Sequence, residues 1–86
     1  MKSAWKNYRK TGVTPMTPVD KELVLIYNIF GELWLDEDRK HKVSISTADR
    51  ENGSPKVGDM IARNEKDPND CWLVAESYFK DNYEEV

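Results

Sequence analysis

Short apolar runs separated by polar turns are the most regular pattern in this chain. Residues 42–46 alternate polar and apolar side chains, and 60–62 and 71–75 are brief apolar runs bounded by polar residues. Patterns of this kind are typical of strands that bury at least one face. The aromatic residues of 76–85 instead recur at helical spacing, which predicts an amphipathic C-terminal helix.

The most hydrophobic segment, 20–35, has a pattern that fits either a helix or a strand. Asp20 is a suitable helix N-cap, with Glu22 in the first turn. The many β-branched and aromatic residues favour a strand, and Gly31 would weaken a helix by about 1 kcal/mol relative to alanine. We therefore predict a strand, a break at 28–31, and a second strand.

Two turns stand out between the predicted strands. Ser46 or Thr47 can cap a single helical turn at 48–51, and Gly53 can end it in a left-handed conformation. A second turn is centred on Gly58 and leads into the run at 60–62.

We predict one α+β domain, a small antiparallel and curled sheet of four to five strands packed by one C-terminal helix. Its predicted divisions are, in chain order, a basic-aromatic extended N-terminal arm at 1–19, a hairpin or meander at 20–46, a two-strand core at 55–75 with a polar loop at 64–70, and the helix at 76–85.

Composition narrows the class of protein. The single cysteine, Cys71, excludes an intrachain disulfide and a structural thiolate zinc site. The first ten residues carry four basic side chains in place of an apolar leader. The longest apolar run, at 23–30, is far shorter than the roughly 20 residues that span a bilayer. We therefore expect a soluble, cytoplasmic protein.

Charge is distributed unevenly. Residues 1–19 contain four of the 13 Lys and Arg residues and none of the 16 acidic ones, in a chain of net charge −3. The remainder is therefore acidic. Binding to duplex DNA is disfavoured, because neutralising phosphates needs a broad basic face.

No residues form a recognisable catalytic or metal motif. His41 lies in a charged run that reads as a solvated hairpin tip, so we predict no catalytic pair with Cys71. Asp67, Asn69 and Asp70 lack the central glycine and bidentate glutamate of a calcium loop. We expect no enzyme activity, no metal and no cofactor.

Aromatic, cationic and amide side chains form the main candidate site. Such groups could stack on a nucleobase and bind phosphate, or form a protein-binding surface. Alternatively, Trp5 and Trp72 belong to the core or the rim of the domain, and Arg63 stacks on one of them. The candidate residues are Trp5, Tyr8, Arg9, Lys10, Arg63, Asn64, Lys66, Asn69 and Trp72.

A second candidate surface is acidic and aromatic. It consists of Trp34 followed by Asp36, Glu37 and Asp38. A solvated face is the usual meaning of such an acidic run, and contact with a partner protein is the functional alternative.

Five motifs resemble a family of small tailed-bacteriophage accessory proteins. They are Trp-x-x-Tyr-Arg-Lys-x-Gly-Val at 5–13, Met-x-Pro at 16–18, Val-Ser-x-Ser at 43–46, ENGSPKVGDMIARN at 51–64 and WLVA-x-x-YF at 72–79. The resemblance covers both ends of the chain, about two thirds of its length. The sequence departs from the family pattern at 20–42, which looks like an expansion.

The resemblance implies an accessory phage protein acting in the host cytoplasm during infection. Our leading hypothesis is a non-catalytic counter-defence or host-takeover inhibitor, comparable to anti-CRISPR proteins, that binds and occludes a host or defence protein. One alternative is a protein that sequesters a nucleotide immune signal in an aromatic, arginine-lined pocket. Another is a minor virion or assembly protein. The sequence leaves association with further copies of itself open.

Overall fold

The computed structural model describes residues 5–35 and 40–86, and these form seven strands and three helices. In chain order the elements are β1 (Lys6–Arg9), β2 (Val13–Pro18), α1 (Lys21–Phe30), β3 (Leu33–Trp34), β4 (Lys42–Ser44), α2 (Thr47–Glu51), β5 (Met60–Asn64), β6 (Asp67–Val74), α3 (Glu76–Asn82) and β7 (Glu84–Glu85). The predicted α+β class is confirmed, and α3 corresponds broadly to the predicted C-terminal helix.

The strands form one open sheet in the order β3-β4-β6-β5-β2-β1-β7. Every pair is antiparallel except β4 and β6, which run parallel. The predicted count of four to five strands is therefore too low, and the sheet is neither purely antiparallel nor strongly curled. The edge strands β3 and β7 have two residues each, which is too short to give a periodic signal.

The first of the two strands predicted in 20–35 is wrong, because α1 occupies Lys21–Phe30. The second strand, after the predicted break, corresponds to β3. The Asp20 carboxylate accepts a hydrogen bond from the Leu23 backbone N–H at 2.9 Å, and Gly31 ends the helix with φ 74°. The Gly31 N–H donates to the Tyr27 carbonyl at 2.7 Å. β-branched residues lower helix propensity by well under 1 kcal/mol each, so two caps and the burial of Leu23 outweigh them.

The sheet buries a separate small core on each face. Alternate β5 positions point to opposite faces, so Ile61 enters one core while Met60 and Ala62 enter the other. The first core packs under α1 and contains Val19, Leu23, Leu33, Val43, Ile61, Cys71 and Leu73. The second contains Met16, Met60, Ala62 and Val74, with Phe79 and Tyr83 packed against it. The domain therefore has three layers, with α1 and α3 on opposite sides of the sheet.

Two strands within the predicted N-terminal arm, β1 and β2, are integral parts of this sheet. β1 and β2 form an antiparallel hairpin, and β2 pairs with β5 from Met16 to Pro18. The Met16 side chain is fully buried. Removing this hairpin would uncover the second core, so the segment predicted as an extended arm contributes two paired strands to the sheet.

Two further boundaries differ from the prediction. β6 begins at Asp67, so most of the predicted loop at 64–70 belongs to a β5–β6 hairpin with an irregular register at Arg63/Asn64. The C-terminal helix ends at Asn82, and β7 then pairs with β1. β7 satisfies part of the edge that β1 would otherwise expose. No helix in the described ranges 5–35 and 40–86 has the length and apolar character needed to cross a membrane.

Candidate functional site

Trp5 and Arg63, two residues of the main predicted set, form a stacked pair. The Arg63 guanidinium carbon lies 4.2 Å from the centre of the Trp5 ring. Trp5 also packs against the first core, on the α1 side of the sheet. This is the stacked arrangement that the sequence left open as an alternative, and it occupies one face of the guanidinium.

The basic residues of the N-terminal hairpin contact the C-terminal elements. Arg9 pairs with Glu84 at 3.3 Å. The Lys10 ammonium lies 4.7 Å from the centre of the Tyr78 ring and donates a hydrogen bond to the Tyr78 hydroxyl. That hydrogen bond raises the pKa of Lys10 above its ordinary value of 10.5. Tyr8 packs edge-on against Phe79 with ring centres 5.1 Å apart. These contacts join the hairpin to α3 and β7.

The amide residues of the predicted set shape the end of the β5–β6 hairpin. The Asn64 side chain accepts a hydrogen bond from the Lys66 N–H at 2.9 Å. The Asn69 N–H donates to the Asp67 carboxylate at 3.1 Å. Such local hydrogen bonds are typical of Asx turns, so a role in shaping this turn accounts for both asparagines.

The main predicted set therefore does not form one pocket. Arg63 is directly opposite Cys71 in the sheet, whereas Trp72 is opposite Ala62. Because facing residues share a side of the sheet and neighbours alternate, Arg63 and Trp72 lie on opposite faces.

The second predicted surface is described only in part. Trp34 is half-buried in β3, opposite Lys42 of β4. Asp36, Glu37 and Asp38 lie outside the described residues.

A groove of about 340 Å³ lies between α2, the end of β6 and α3. Of the predicted set, only Trp72 lines it. Sequence reasoning did not assign its other lining residues to a binding site, although their helical spacing placed Tyr78 and Tyr83 on the apolar side of the predicted C-terminal helix. The lining residues are Asp49, Trp72, Leu73, Val74, Ala75, Tyr78 and Tyr83.

The buried Asp59 carboxylate holds the N-terminus of α3 beside this groove. Asp59 has no exposed surface. One carboxylate oxygen accepts hydrogen bonds from the Ser54 hydroxyl at 2.8 Å and the Lys56 N–H at 2.9 Å. The other accepts from the Lys56 ammonium and the Glu76 N–H, both at 2.9 Å.

Asp59 acts as a long-range cap for α3. The helix begins after Ala75, which has no side chain able to accept from the first turn, and the Asp59 bond to Glu76 replaces that cap. Burial disfavours the charged carboxylate, but the bonds from Lys56, Ser54 and the backbone outweigh it and hold the pKa of Asp59 below its ordinary 3.8. The Asp59 carboxylate is therefore charged, and its role is to hold the N-terminus of α3.

The outer face of α1 is a further candidate surface that the sequence did not predict. Leu25 and Ile29 are 57% and 64% exposed. They are four residues apart, so they stand one above the other on the same side of the helix. Lys21, Glu22 and Asn28 are also exposed around them. The arrangement is an apolar centre with a polar rim on a convex surface, which we call the α1 outer face.

The described residues together define a small three-layer α+β domain with an aromatic groove and an exposed apolar face on α1. Within the described ranges, no group of three or more His, Cys, Asp or Glu residues is placed to hold a metal ion. Comparisons with protein-family models, curated proteins and solved structures gave no match.

Proposed function

We propose that this chain is a non-catalytic binding protein that occludes a partner protein through the α1 outer face. The observation that carries this proposal is the exposure of Leu25 and Ile29 on a helix whose Leu23 is buried in the first core. Two large aliphatic side chains in one helical stripe match the anchor spacing of helix-in-groove recognition. A convex helix cannot enclose a small molecule, so the occupant with matching shape is an apolar groove on a folded protein.

The energy available from this surface is sufficient for specific contact. Fully burying a leucine or isoleucine side chain contributes about 1.5–3 kcal/mol. Since these two side chains are already partly covered, a partner would gain roughly 1–2 kcal/mol from each. The rim of Lys21, Glu22 and Asn28 would supply the polar periphery that such interfaces have.

The helix is also held in place before it binds. Asp20 and Gly31 cap its two ends, and Leu23 anchors its inner side in the first core. A preformed surface loses little conformational freedom on association. This favours an inhibitor that docks as a rigid body.

The setting that we propose rests on the resemblance to tailed-phage accessory proteins. Under this proposal the partner is a host or defence-system protein in the infected cytoplasm. A non-catalytic role is consistent with the position of Cys71. Its side chain is buried, with 2% of the residue exposed, and its thiol donates a hydrogen bond to the Pro68 carbonyl at 3.2 Å. This burial supports the proposal that Cys71 has no catalytic role.

The test compares the wild type with the double variant Leu25→Gln/Ile29→Gln. Glutamine is a good helix former, so the variant should keep α1. Val57→Gln is the matched control, because Val57 is as exposed as Leu25 but lies outside α1. Each tagged protein is purified from phage-infected host cells, co-purifying proteins are identified by mass spectrometry, and the complex is rebuilt from purified components.

The rebuilt complex should bind the double variant about 30- to 1,000-fold more weakly, from the 2–4 kcal/mol lost at two anchors. The Val57→Gln protein should bind like the wild type. Equal affinity of the double variant would contradict the proposal. So would finding that the α1 outer face is covered by a second copy of the chain in solution.

A further inference from the structure

We infer that the groove between α2, β6 and α3 binds a small organic cation. This site shares no residue with the α1 outer face and does not depend on the proposed function. Its volume of about 340 Å³ is within the usual range of small-molecule sites.

The walls of the groove have the chemistry of a cation site. Trp72 is half-buried at one wall, and the Tyr78 and Tyr83 rings have centres 6.2 Å apart with planes at 59°. Aromatic faces carry negative charge density and attract ammonium and guanidinium groups. Asp49 is the one charged residue among the described residues that line the groove, so its field adds to theirs.

Hydrogen bonds hold the backbone of Asp49 in place, whereas its carboxylate is available to a ligand. Its N–H donates to the Ser46 hydroxyl at 3.1 Å, and its carbonyl accepts from the Ser54 N–H at 2.9 Å. Within residues 5–35 and 40–86, no side chain forms a hydrogen bond or ion pair with the Asp49 carboxylate. A half-buried carboxylate beside three aromatic rings is stabilised by a cation.

Lys10 allows the sign of the ligand charge to be tested. Its ammonium contacts Tyr78 but does not line the groove. A positive charge this close opposes the binding of a cation and favours that of an anion. Replacing Lys10 should therefore strengthen one class of ligand and weaken the other.

The experiment is an NMR titration that follows the Trp72 indole N–H signal. The probes are choline, its neutral isostere 3,3-dimethyl-1-butanol, Nα-acetyl-lysine amide, which keeps the side-chain ammonium, and adenosine monophosphate. We expect choline to bind about tenfold more tightly than the neutral isostere, since the two share a shape but differ in charge. A lysine amide that binds more tightly than choline would assign the natural ligand to a protein side chain, and the reverse order would assign it to a free quaternary ammonium compound.

Three variants complete the test. Asp49→Asn should weaken choline binding about tenfold, whereas Glu51→Gln, which removes the same charge from an exposed position on α2, should change it less than about twofold. Lys10→Gln should strengthen choline binding. The inference is overturned if choline does not shift the indole signal beyond a sodium chloride reference, or if the neutral isostere binds equally well. Tighter binding of adenosine monophosphate, weakened by Lys10→Gln, would show an anion site and also overturn it.

Discussion

Replacing Asp59 by asparagine should destabilise the whole domain. The two carboxylate oxygens accept four hydrogen bonds in the wild type, two at each oxygen. Asparagine has one acceptor oxygen, and its amide group donates. If that oxygen keeps the bond to Glu76, the amide faces the Lys56 N–H, and two donors oppose each other in a partly buried position.

The expected loss follows from these partners. A buried donor left without an acceptor costs about 1–3 kcal/mol. The Lys56 ammonium is half exposed, so losing its charged partner adds less than about 1 kcal/mol. The sum is roughly 2–4 kcal/mol, against a total stability on the order of 3–5 kcal/mol for one small domain. The Asp59→Asn protein should therefore be close to unfolding at room temperature.

Urea denaturation followed by tryptophan fluorescence and far-ultraviolet circular dichroism measures this loss. The control is Asp81→Asn, which makes the same chemical change at an exposed position of α3 and should cost less than about 0.5 kcal/mol. If Asp59→Asn costs no more than this control, the reasoning about the buried carboxylate is wrong.

The pH dependence provides a second check on Asp59. Its pKa in the folded protein lies below the ordinary 3.8, so on acidification the unfolded chain takes up the proton first. The carboxylate's contribution to stability is therefore fully present above pH 3.8 and is lost as the pH falls through the folded-state pKa. The difference in unfolding free energy between wild type and Asp59→Asn should stay constant from roughly pH 5 to 8 and shrink below about pH 4.

Three further variants test the local geometry. Gly58→Ala should cost about 1–3 kcal/mol in urea denaturation, because φ is 107° and the new Cβ would lie 2.4 Å from a Glu76 carboxylate oxygen; the double variant with Glu76→Ala should recover only the part due to that contact. Asp20→Ala should cost about 1 kcal/mol through the lost N-cap of α1, and an unchanged melting temperature would argue against the cap. Arg63→Ala should cost about 0.5–1 kcal/mol and alter the fluorescence of Trp5, while a spectrum identical to that of the wild type would contradict the stacked pair.

Local signals in the sequence identified local structure well. The Ser46 hydroxyl caps α2 at the Asp49 N–H, and Gly53 follows the helix with φ 97°. The predicted turn at Gly58 has the positive φ that favours glycine. Each of these features depends on residues a few positions apart, which is the range over which side chain and backbone interact in a turn.

Residues 20–35 show where local propensity is a poor guide. The β-branched residues of α1 indicated strands, but the buried position of Leu23 and the two caps make the helix more stable. Intrinsic preferences amount to a fraction of 1 kcal/mol per residue, so tertiary packing readily overrides them.

The candidate sites depend on register and on distant contacts. The sequence identified Trp72 and Arg63 as members of one candidate binding site, but only the β5–β6 register shows that they lie on opposite faces of the sheet. Asp59 caps a helix that starts 17 residues later. The pattern of apolar and polar positions carries no signal for such a contact, because it records which face a residue occupies and not which distant donor it meets.

The most direct test of the central claim is a methyl NMR spectrum of the chain bound to its purified partner. If the α1 outer face is the binding surface, the Leu25 and Ile29 methyl signals should shift or broaden first, while those of the exposed Val57 and the buried Leu33 stay unchanged. Perturbations absent from α1 and confined to the aromatic groove around Trp72 would contradict the account and assign partner binding to that groove.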